Sequence, residues 1–249
     1  MWTDVTDCYA FYETSLGEIV EKAVTEVVAS FWPSVKGEVV AGFGYTHPFL
    51  PYFTLEADRV LSLMPAPMGV MSWPEKDKNA SMLVCEKLPF RNESIHKLLV
   101  VHAFEHIENT SKILEEFWRV LAPEGRLLIV VPNRRGLWSR TSHTPFGNGH
   151  PYTGRQLFTA VEQSHFVPQK PRYALFHPPA FSSAWERLDQ SMEQFGEKWF
   201  KKFGGVVVLE ARKKVRGLVR ERQKTWRPRI FVPKPSVSCC VKSSLDSKE

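Results

Sequence analysis

The sequence predicts a doubly wound α/β fold, in which helices cover both faces of a mostly parallel sheet. Short apolar runs without polar alternation, such as residues 98–101 and 126–131, are typical of parallel strands that are buried on both faces. Amphipathic segments at helical spacing lie between such runs, and this order implies right-handed crossovers between parallel strands. Ligands of such sheets bind at the carboxyl ends of the strands, so we expect functional residues there.

Five apolar runs are predicted to be strands: residues 39–41, 59–64, 98–101, 126–131 and 206–211. The first run ends at Gly42-Phe43-Gly44, which we expect to form a tight loop because glycine permits backbone conformations that other residues avoid. The second is closed by Pro65, and the fourth by Pro132. Proline lacks the amide hydrogen that a strand needs to continue its ladder.

Four segments have helical spacing: residues 15–31, 110–121, 154–165 and 185–203. The first is expected to begin with the capping box Ser15-x-x-Glu18, and the third with the capping box Thr153-x-x-Gln156. Asn109 or Thr110 is expected to cap the second helix.

Composition indicates a globular protein in a reducing compartment. The 249 residues are 43% apolar, enough for a sizeable core, and the four cysteines show neither C-x-x-C spacing nor the density of a disulfide scaffold. No apolar run approaches the roughly 20 residues that span a bilayer. The N-terminus is acidic where a signal peptide would be basic. We therefore expect a cytoplasmic protein.

The positive charge is concentrated at the C-terminal end. Residues 212–249 contain 12 Lys and Arg against 3 acids, which leaves 21 against 24 for residues 1–211. The sequence thus predicts a folded domain over residues 1–214 and a basic, disordered tail over residues 215–249. Nucleic acid or an anionic membrane is the partner such a tail suggests, and a merely solvated tail is the alternative. Its candidate phosphate contacts are Arg216, Arg220, Arg222, Lys224, Arg227 and Arg229.

The stretch VVHAFEHI, residues 100–107, contains His102-x-x-Glu105-His106, the spacing of an inverted zincin. Such a site needs both histidines on one continuous helix, whereas His102 follows a predicted strand directly. No third ligand is placed by spacing, so we expect no metal. Two interpretations remain: Glu105 and His106 bond the loop backbone, or they take part in binding or proton transfer.

The flanks of this stretch resemble a known family. The matching motifs are Leu88-Pro89-Phe90, Phe104-Glu105-His106, the run RVLAPEG at residues 119–125 and the run YTGRQLF at residues 152–158. They resemble the class I S-adenosylmethionine-dependent methyltransferases, specifically the type 11 group, over roughly residues 15–210. The resemblance implies a seven-stranded Rossmann-like sheet, S-adenosyl-L-methionine as cofactor, and methyl transfer. Glu124 departs from the family pattern, which has glycine there.

The cofactor loop of that family is altered in this sequence. The pattern D-x-G-x-G-x-G corresponds to residues 42–48, where Gly42 replaces the acid, Thr46 and Pro48 replace glycines, and Gly44 is retained. The acid that would bind the ribose falls near Met64. The resemblance places the candidate cofactor-binding residues at Gly42, Phe43, Gly44, Tyr45, Thr46, Met64, Cys85, Glu86, Leu88 and His102.

Further candidates lie near the same strand ends. If the reaction needs a base, His102, His106 and His150 are candidates. Arg134 and Arg135 suit an anionic substrate, unless they belong to a solvated loop. Trp138 and Tyr152 suit an apolar substrate, unless they are core residues.

Two functions follow from these observations. The first is methyl transfer from S-adenosyl-L-methionine to a small-molecule or lipid-like acceptor. The second is a non-catalytic protein that keeps the fold and binds a partner or nucleic acid through its tail. The acids missing from the cofactor site would form charge-assisted hydrogen bonds with the cofactor. Losing two such bonds weakens cofactor binding by roughly 3 to 6 kcal/mol, which is two to four decades in affinity. The altered cofactor loop therefore keeps the second function open.

Overall fold

The computed structural model describes residues 2–73, 79–84, 87–179 and 203–214. These residues belong to one compact unit, Met1–Val215. The predicted helix at residues 185–203, except Phe203, and the basic tail from residue 215 lie outside the described residues, so both stay predictions. No helix in the described part of the chain is long and apolar enough to cross a membrane.

Eight strands form a single sheet: β1 Val39–Gly44, β2 Arg59–Pro65, β3 Asn79–Val84, β4 Ile95–Val101, β5 Leu121–Pro132, β6 Val167–Pro168, β7 Arg172–Ala174 and β8 Val206–Arg212. Their order is β3-β2-β1-β4-β5-β8-β6, and β7 also pairs with β8. Strands β1 to β5 run parallel, whereas β8 runs antiparallel to β5. The short strands β6 and β7 pair with opposite ends of β8. The sheet therefore has seven positions across, as the resemblance predicts.

Four α-helices accompany the sheet: α1 Val5–Tyr12, α2 Ser15–Phe31, α3 Thr110–Val120 and α4 Gly154–Gln163. Side chains on each strand alternate between two hydrophobic clusters, one on each face of the sheet. One cluster includes the buried residues of α1 and α2, and the other includes those of α3 and α4. The predicted fold class is confirmed, because helices cover both faces of a mostly parallel sheet.

Local signals at the helix ends are confirmed with one correction. Thr153 and Gln156 form the predicted capping box of α4, and the Asn109 side chain accepts from the Lys112 amide at the start of α3. In α2 the cap is Thr14, whose hydroxyl accepts from the Gly17 amide at 3.1 Å, so the prediction of a Ser15 cap was wrong by one residue.

The β1 strand is longer than predicted. Gly42, Phe43 and Gly44 continue it, because they pair in register with Leu99, Val100 and Val101 of β4. The prediction of a tight loop at these glycines was therefore wrong. After the strand, residues 45–58 form no α-helix but contain a short 3-10 turn at Leu50–Phe53. The face that a crossover helix would cover is packed instead by the N-terminal helices, of which α1 was not predicted.

A buried carboxylate joins three parts of the fold. Glu210 in β8 is 1% exposed, and its side chain accepts hydrogen bonds from Trp32 Nε1 at 3.0 Å and from Arg126 Nη1 at 3.1 Å. Gln169 Nε2 donates to its other oxygen. Glu210 thus connects β8 to the residue after α2, to β5 and to the loop after β6.

We predict that Glu210→Gln lowers the free energy of unfolding by about 2 to 3 kcal/mol. The substitution replaces charge-assisted hydrogen bonds by weaker ones, and it places the new NH2 group beside the N–H donors that Glu210 accepts from. Chemical denaturation monitored by circular dichroism measures the change. Glu124→Gln is the matched control, since Glu124 pairs with Arg212 at an exposed site, and we expect it to cost less than about 0.5 kcal/mol. Equal effects of the two substitutions would contradict the role of Glu210.

Candidate functional site

The parallel strands end at one edge of the sheet. Gly44 at the end of β1 pairs with Val101 at the end of β4, and β2 ends beside β1 at Pro65. From β1 the chain adds β2 and β3 on one side of the sheet, and then returns to add β4 on the other side of β1. The direction in which strands are added therefore reverses between β1 and β4. Such a switch point is where doubly wound sheets bind ligands. Here it lies between Gly44 and Val101.

A cavity of about 520 Å³ opens at this edge, on the side of α3. It reaches the ends of three strands and the loop that leads into α3. Its described lining residues are Trp2, Phe43, Pro65, Ala66, Pro67, Val84, His106, Ile107, Glu108, Asn109, Lys112 and Ile113. A mainly apolar lining with a few polar groups, at this volume, suits a small organic ligand. Cys85 and Glu86 follow Val84 directly and lie outside the described residues.

The two glycines at the end of β1 are needed for packing within the protein. A Cβ atom at Gly42 would clash with the Thr46 hydroxyl. Gly44 has a φ of 91°, and a Cβ there would lie 2.7 Å from the Ala103 Cβ and would clash with the Val101 carbonyl. Both glycines therefore make room for neighbouring protein atoms, and Thr46 fills the space that a side chain at position 42 would need.

Aromatic side chains fill the switch point itself. Tyr12 of α1 stacks on Tyr45 with a ring separation of 5.7 Å, and its hydroxyl lies 2.8 Å from His102 Nε2. The ring of Phe49 meets Tyr12 edge-on at 5.8 Å. Tyr45 is 2% exposed, and Thr46 and Met64 are fully buried. These three predicted cofactor contacts are not among the described residues that line the cavity.

Two polar residues under α1 are poorly satisfied. His102 has a left-handed φ of 52°, which few residues other than glycine adopt, and its Nδ1 lies 3.8 Å from Glu105 Oε1, too far for a hydrogen bond. Glu105 is 1% exposed, and neither of its carboxyl oxygens has a hydrogen-bond partner among the described residues. A buried polar group without a partner costs about 1 to 3 kcal/mol.

Burial sets the charge of both residues. Burial raises the pKa of Glu105 to about 8. The backbone amides of Ala103 and Glu105 act in the opposite direction, although neither has the geometry of a hydrogen bond to the carboxyl group. Burial also lowers the pKa of His102 to about 3, with a smaller contribution from His106. At pH 7 the carboxyl group is therefore protonated and the imidazole neutral, so the two do not form an ion pair.

Of the three histidines predicted as bases, His106 is the one that lines the cavity. Its ring lies 5.3 Å from the ring of Trp2, and its Nε2 lies 3.3 Å from the Thr3 hydroxyl. The Nε2 of His102 is bonded to Tyr12 instead. His150 is exposed and contacts this region through its backbone amide, which donates to the Glu105 carbonyl at 2.7 Å.

Leu88, a predicted cofactor contact, is buried in the core. Its amide donates to Glu116 at 2.7 Å, and its carbonyl accepts from Arg119 at 2.9 Å. Arg119 also donates to the Phe90 carbonyl at 2.8 Å. The motif Leu88-Pro89-Phe90 is thus held by Arg119, the first residue of the RVLAPEG run, which explains in physical terms why the two motifs occur together.

The predicted substrate residues lie in the segments after β5, where the Arg134 amide donates to the Tyr152 carbonyl at 3.0 Å. Arg134 and Arg135 are exposed, whereas Trp138 is 1% exposed and donates from Nε1 to the His177 carbonyl at 2.8 Å. Tyr152 is half-buried against Phe104, with a ring separation of 5.4 Å. Trp138 is therefore a core residue in this structure, and none of the four is among the described residues that line the cavity.

Sequence reasoning missed much of the cavity wall. Trp2 belongs to no motif, and residues 107–113 were interpreted only as the approach to a helix. The position of this segment directly after the end of β4 was the signal that could have identified it as part of the site. Among the described side chains, no group of three His, Cys, Asp or Glu residues could hold a metal ion.

We predict that the stability of the protein falls between pH 6.5 and 8. In this window the unfolded chain has released the Glu105 proton, whose ordinary pKa is 4.5, while the folded protein still holds it. Stability is then lost as pH rises through the folded pKa, by about 1.4 kcal/mol per pH unit or about 2 kcal/mol in all. Below pH 6.5 the buried His102 opposes this trend, because its proton affinity is higher in the unfolded chain.

Denaturation curves at pH 6.5, 7.2 and 8 measure this dependence. Glu105→Gln carries a neutral side chain at every pH, so we expect it to flatten the curve. A slope that persists unchanged in this variant would show that Glu105 does not cause it.

Solved structures of methyltransferases and of a cyclase share this fold. A SAM-dependent methyltransferase from Thermotoga maritima is 16% identical, with a TM-score of 0.59 over 84% of this chain and 96% of that chain. One from Aquifex aeolicus is 13% identical, with a TM-score of 0.56 over 84% and 98% of the two chains. The [4+2]-cyclase SpnF is 14% identical, with a TM-score of 0.57 over 82% and 84%. At these identities the likeness concerns the fold alone.

Comparison with curated proteins gives no match. A family model does match: residues 41–129 fit the model described as a methyltransferase domain. These residues run from β1 into β5 and include the switch point and most of the cavity wall. Residues 41–129 thus match a methyltransferase domain, and the described chain has the Rossmann-like fold of the methyltransferases.

Proposed function

We propose that the protein transfers a methyl group from S-adenosyl-L-methionine to a small-molecule or lipid-like acceptor. The observation that carries this proposal is the cavity at the carboxyl ends of β1, β2 and β3, which the start of α3 borders. It lies at the edge of the sheet where this fold binds its ligands. The acceptor class rests on the mainly apolar lining of the cavity.

The cavity fits the nucleoside half of the cofactor. Phe43, Pro65 and Ile113 provide apolar surface for a flat ring, and Glu108 and Asn109 are exposed at the same cavity. A carboxylate accepts hydrogen bonds from the two hydroxyl groups of a ribose. Glu108 is therefore our candidate to replace the acid that the sequence lacks at Met64.

The amino-acid half fits less well. Gly42 and Gly44 face protein atoms, and Tyr12 and Tyr45 stack across the switch point. These neighbours bury Tyr45 and Thr46 at the start of the loop after β1. A ligand that extends from the cavity to the switch point needs Tyr12 to move.

Within this proposal the chain's own residues bind and orient. The bound cofactor supplies a methyl group that is already activated, so the protein mainly aligns the acceptor. His106 is our candidate to orient a polar acceptor group or to take its proton, because it lines the cavity. His102 is a weaker candidate while its Nε2 is bonded to Tyr12.

One observation favours a second function, a non-catalytic binding protein with this fold. The packed switch point, with Tyr45 and Thr46 buried, is what a chain that no longer binds the cofactor would show. The two functions differ in a single measurable property, the affinity for S-adenosyl-L-methionine.

We predict that calorimetric titration with S-adenosyl-L-methionine, or with its demethylated product S-adenosylhomocysteine, gives a Kd below about 100 μM. Absence of heat at millimolar ligand would contradict methyl transfer and favour the non-catalytic function.

We further predict that Glu108→Gln raises this Kd at least about tenfold, since a hydrogen bond to a charged group contributes about 1.5 to 3 kcal/mol. Glu115→Gln is the matched control, because Glu115 is exposed on α3 and does not line the cavity, and we expect less than a twofold change. Equal Kd values for the two variants would remove Glu108 from the site.

A further inference from the structure

The N-terminal helix α1 lies across the ligand edge of the sheet. Its residues touch the loops after all four central parallel strands: Tyr12 contacts Tyr45 after β1 and His102 after β4, and Phe11 contacts Phe146 after β5. Val5 lies beside Gly69 after β2. Trp2, just before the helix, lines the cavity. The segment 2–12 therefore covers both the cavity and the switch point.

Tyr12 is the residue that closes the switch point. Its ring fills the space between Tyr45, Phe49 and His102, at ring separations of 5.7 to 5.8 Å. The residue is 6% exposed. No ligand can reach the ends of β1 and β4 from this side while Tyr12 stays in place.

Helix α1 is held by four buried side chains and by the bond between Tyr12 and His102, whereas the polar contacts just before it are weak. Thr3 forms two hydrogen bonds, one with His106 and one accepted from Asn148, and both are long at 3.3 and 3.4 Å. Under the helix, the Glu105 oxygens and His102 Nδ1 lack hydrogen-bond partners within the described ranges. Water would reach these groups if α1 moved away, so opening relieves an unfavourable burial. A helix of 8 residues also has little stability of its own.

The connection to α2 is short and can act as a hinge. Only Glu13 and Thr14 separate the two helices. The first turn of α2 touches α1 at Gly17, where a Cβ atom would clash with the Phe11 carbonyl and lie 2.5 Å from the Tyr12 Cα. Helix α2 itself is anchored by Val20, Val24 and Val28, which are all buried. Movement of α1 about residues 13–14 therefore leaves these anchoring residues of α2 in place.

We propose that α1 is a gate over the switch point, which opens about residues 13–14 without global unfolding and is held open by a ligand bound at the ends of β1 and β4. The identity of that ligand rests on the proposed function, whereas the opening itself does not. The protein with α1 closed and the protein with α1 open are then in equilibrium, and a ligand that binds the open form shifts it.

Cys8 reports on this gate, because it lies in α1 and is fully buried. The experiment treats the full-length protein with a thiol reagent under native conditions and follows labelling of Cys8 by peptide mass spectrometry, so the other cysteines need no replacement. We expect Cys8 to react at least about tenfold faster than global unfolding allows, with little dependence on low denaturant. A labelling rate equal to that of global unfolding would overturn the proposal.

The second arm adds S-adenosylhomocysteine at saturation, as judged by calorimetry. We expect faster labelling of Cys8, since the ligand holds the gate open, and unchanged or slower labelling would overturn the proposal. If S-adenosylhomocysteine does not bind at all, the proposed function fails, while the ligand-free arm still decides whether the gate opens.

Two variants test the geometry. Gly17→Ala pushes against the Phe11 carbonyl, so we expect labelling of Cys8 to rise about tenfold and ligand affinity to rise in proportion. Ser15→Ala, in the same turn of α2 and exposed, is the control, with less than a twofold change. Tyr12→Phe keeps the ring and removes the bond to His102, and we expect about a threefold rise. No change in either Gly17→Ala or Tyr12→Phe would overturn the proposal.

Discussion

The pairing of β1 with β4 is the constraint on which the rest of the structure depends. Five residue pairs in register, from Val40 with Lys97 to Gly44 with Val101, place two strands side by side that are more than 50 residues apart in the chain. Apart from Lys97, the paired residues are apolar or glycine and are buried, as expected of strands covered on both faces. This pairing creates the switch point and positions the cavity beside Phe43. It also leaves no room for a side chain at position 44, where glycine is found.

Most of the fold could be predicted because its signals are local. Apolar runs identified β1, β2, β4, β5 and β8, and capping residues identified α3 and α4 within a residue or two. The misses have physical reasons. Strand β3 contains Asn79 and Ser81 and lies at the edge of the sheet, where burial does not demand an apolar run. Helix α1 is short, and its burial is decided by residues far away in sequence.

The site was less predictable than the fold. A motif shows which residue stands at a strand end, but it does not show what packs against that residue. Thr46 fills the space beside Gly42, and Tyr12 reaches His102 across 90 positions of the sequence. The resemblance indicated the edge of the sheet at which the cavity lies, and the glycines there accommodate protein atoms. Glu105 and His106 are neighbours in sequence, but Glu105 is buried without hydrogen-bond partners for its carboxyl oxygens in the described part of the chain, whereas His106 lines the cavity. The backbone geometry of the turn at Phe104–His106 sets this difference.

The antiparallel strand β8 has a consequence for synthesis of the chain. It lies between β5 and the short edge strands, yet it is the last described element to leave the ribosome. Until residues 206–212 emerge, the side of β5 from Arg126 to Pro132 has no partner strand, and most of that stretch is apolar. An unpaired, apolar strand edge is a template for association between chains. A chain that ends before Val206 therefore exposes an apolar strand edge that β8 covers in the folded protein.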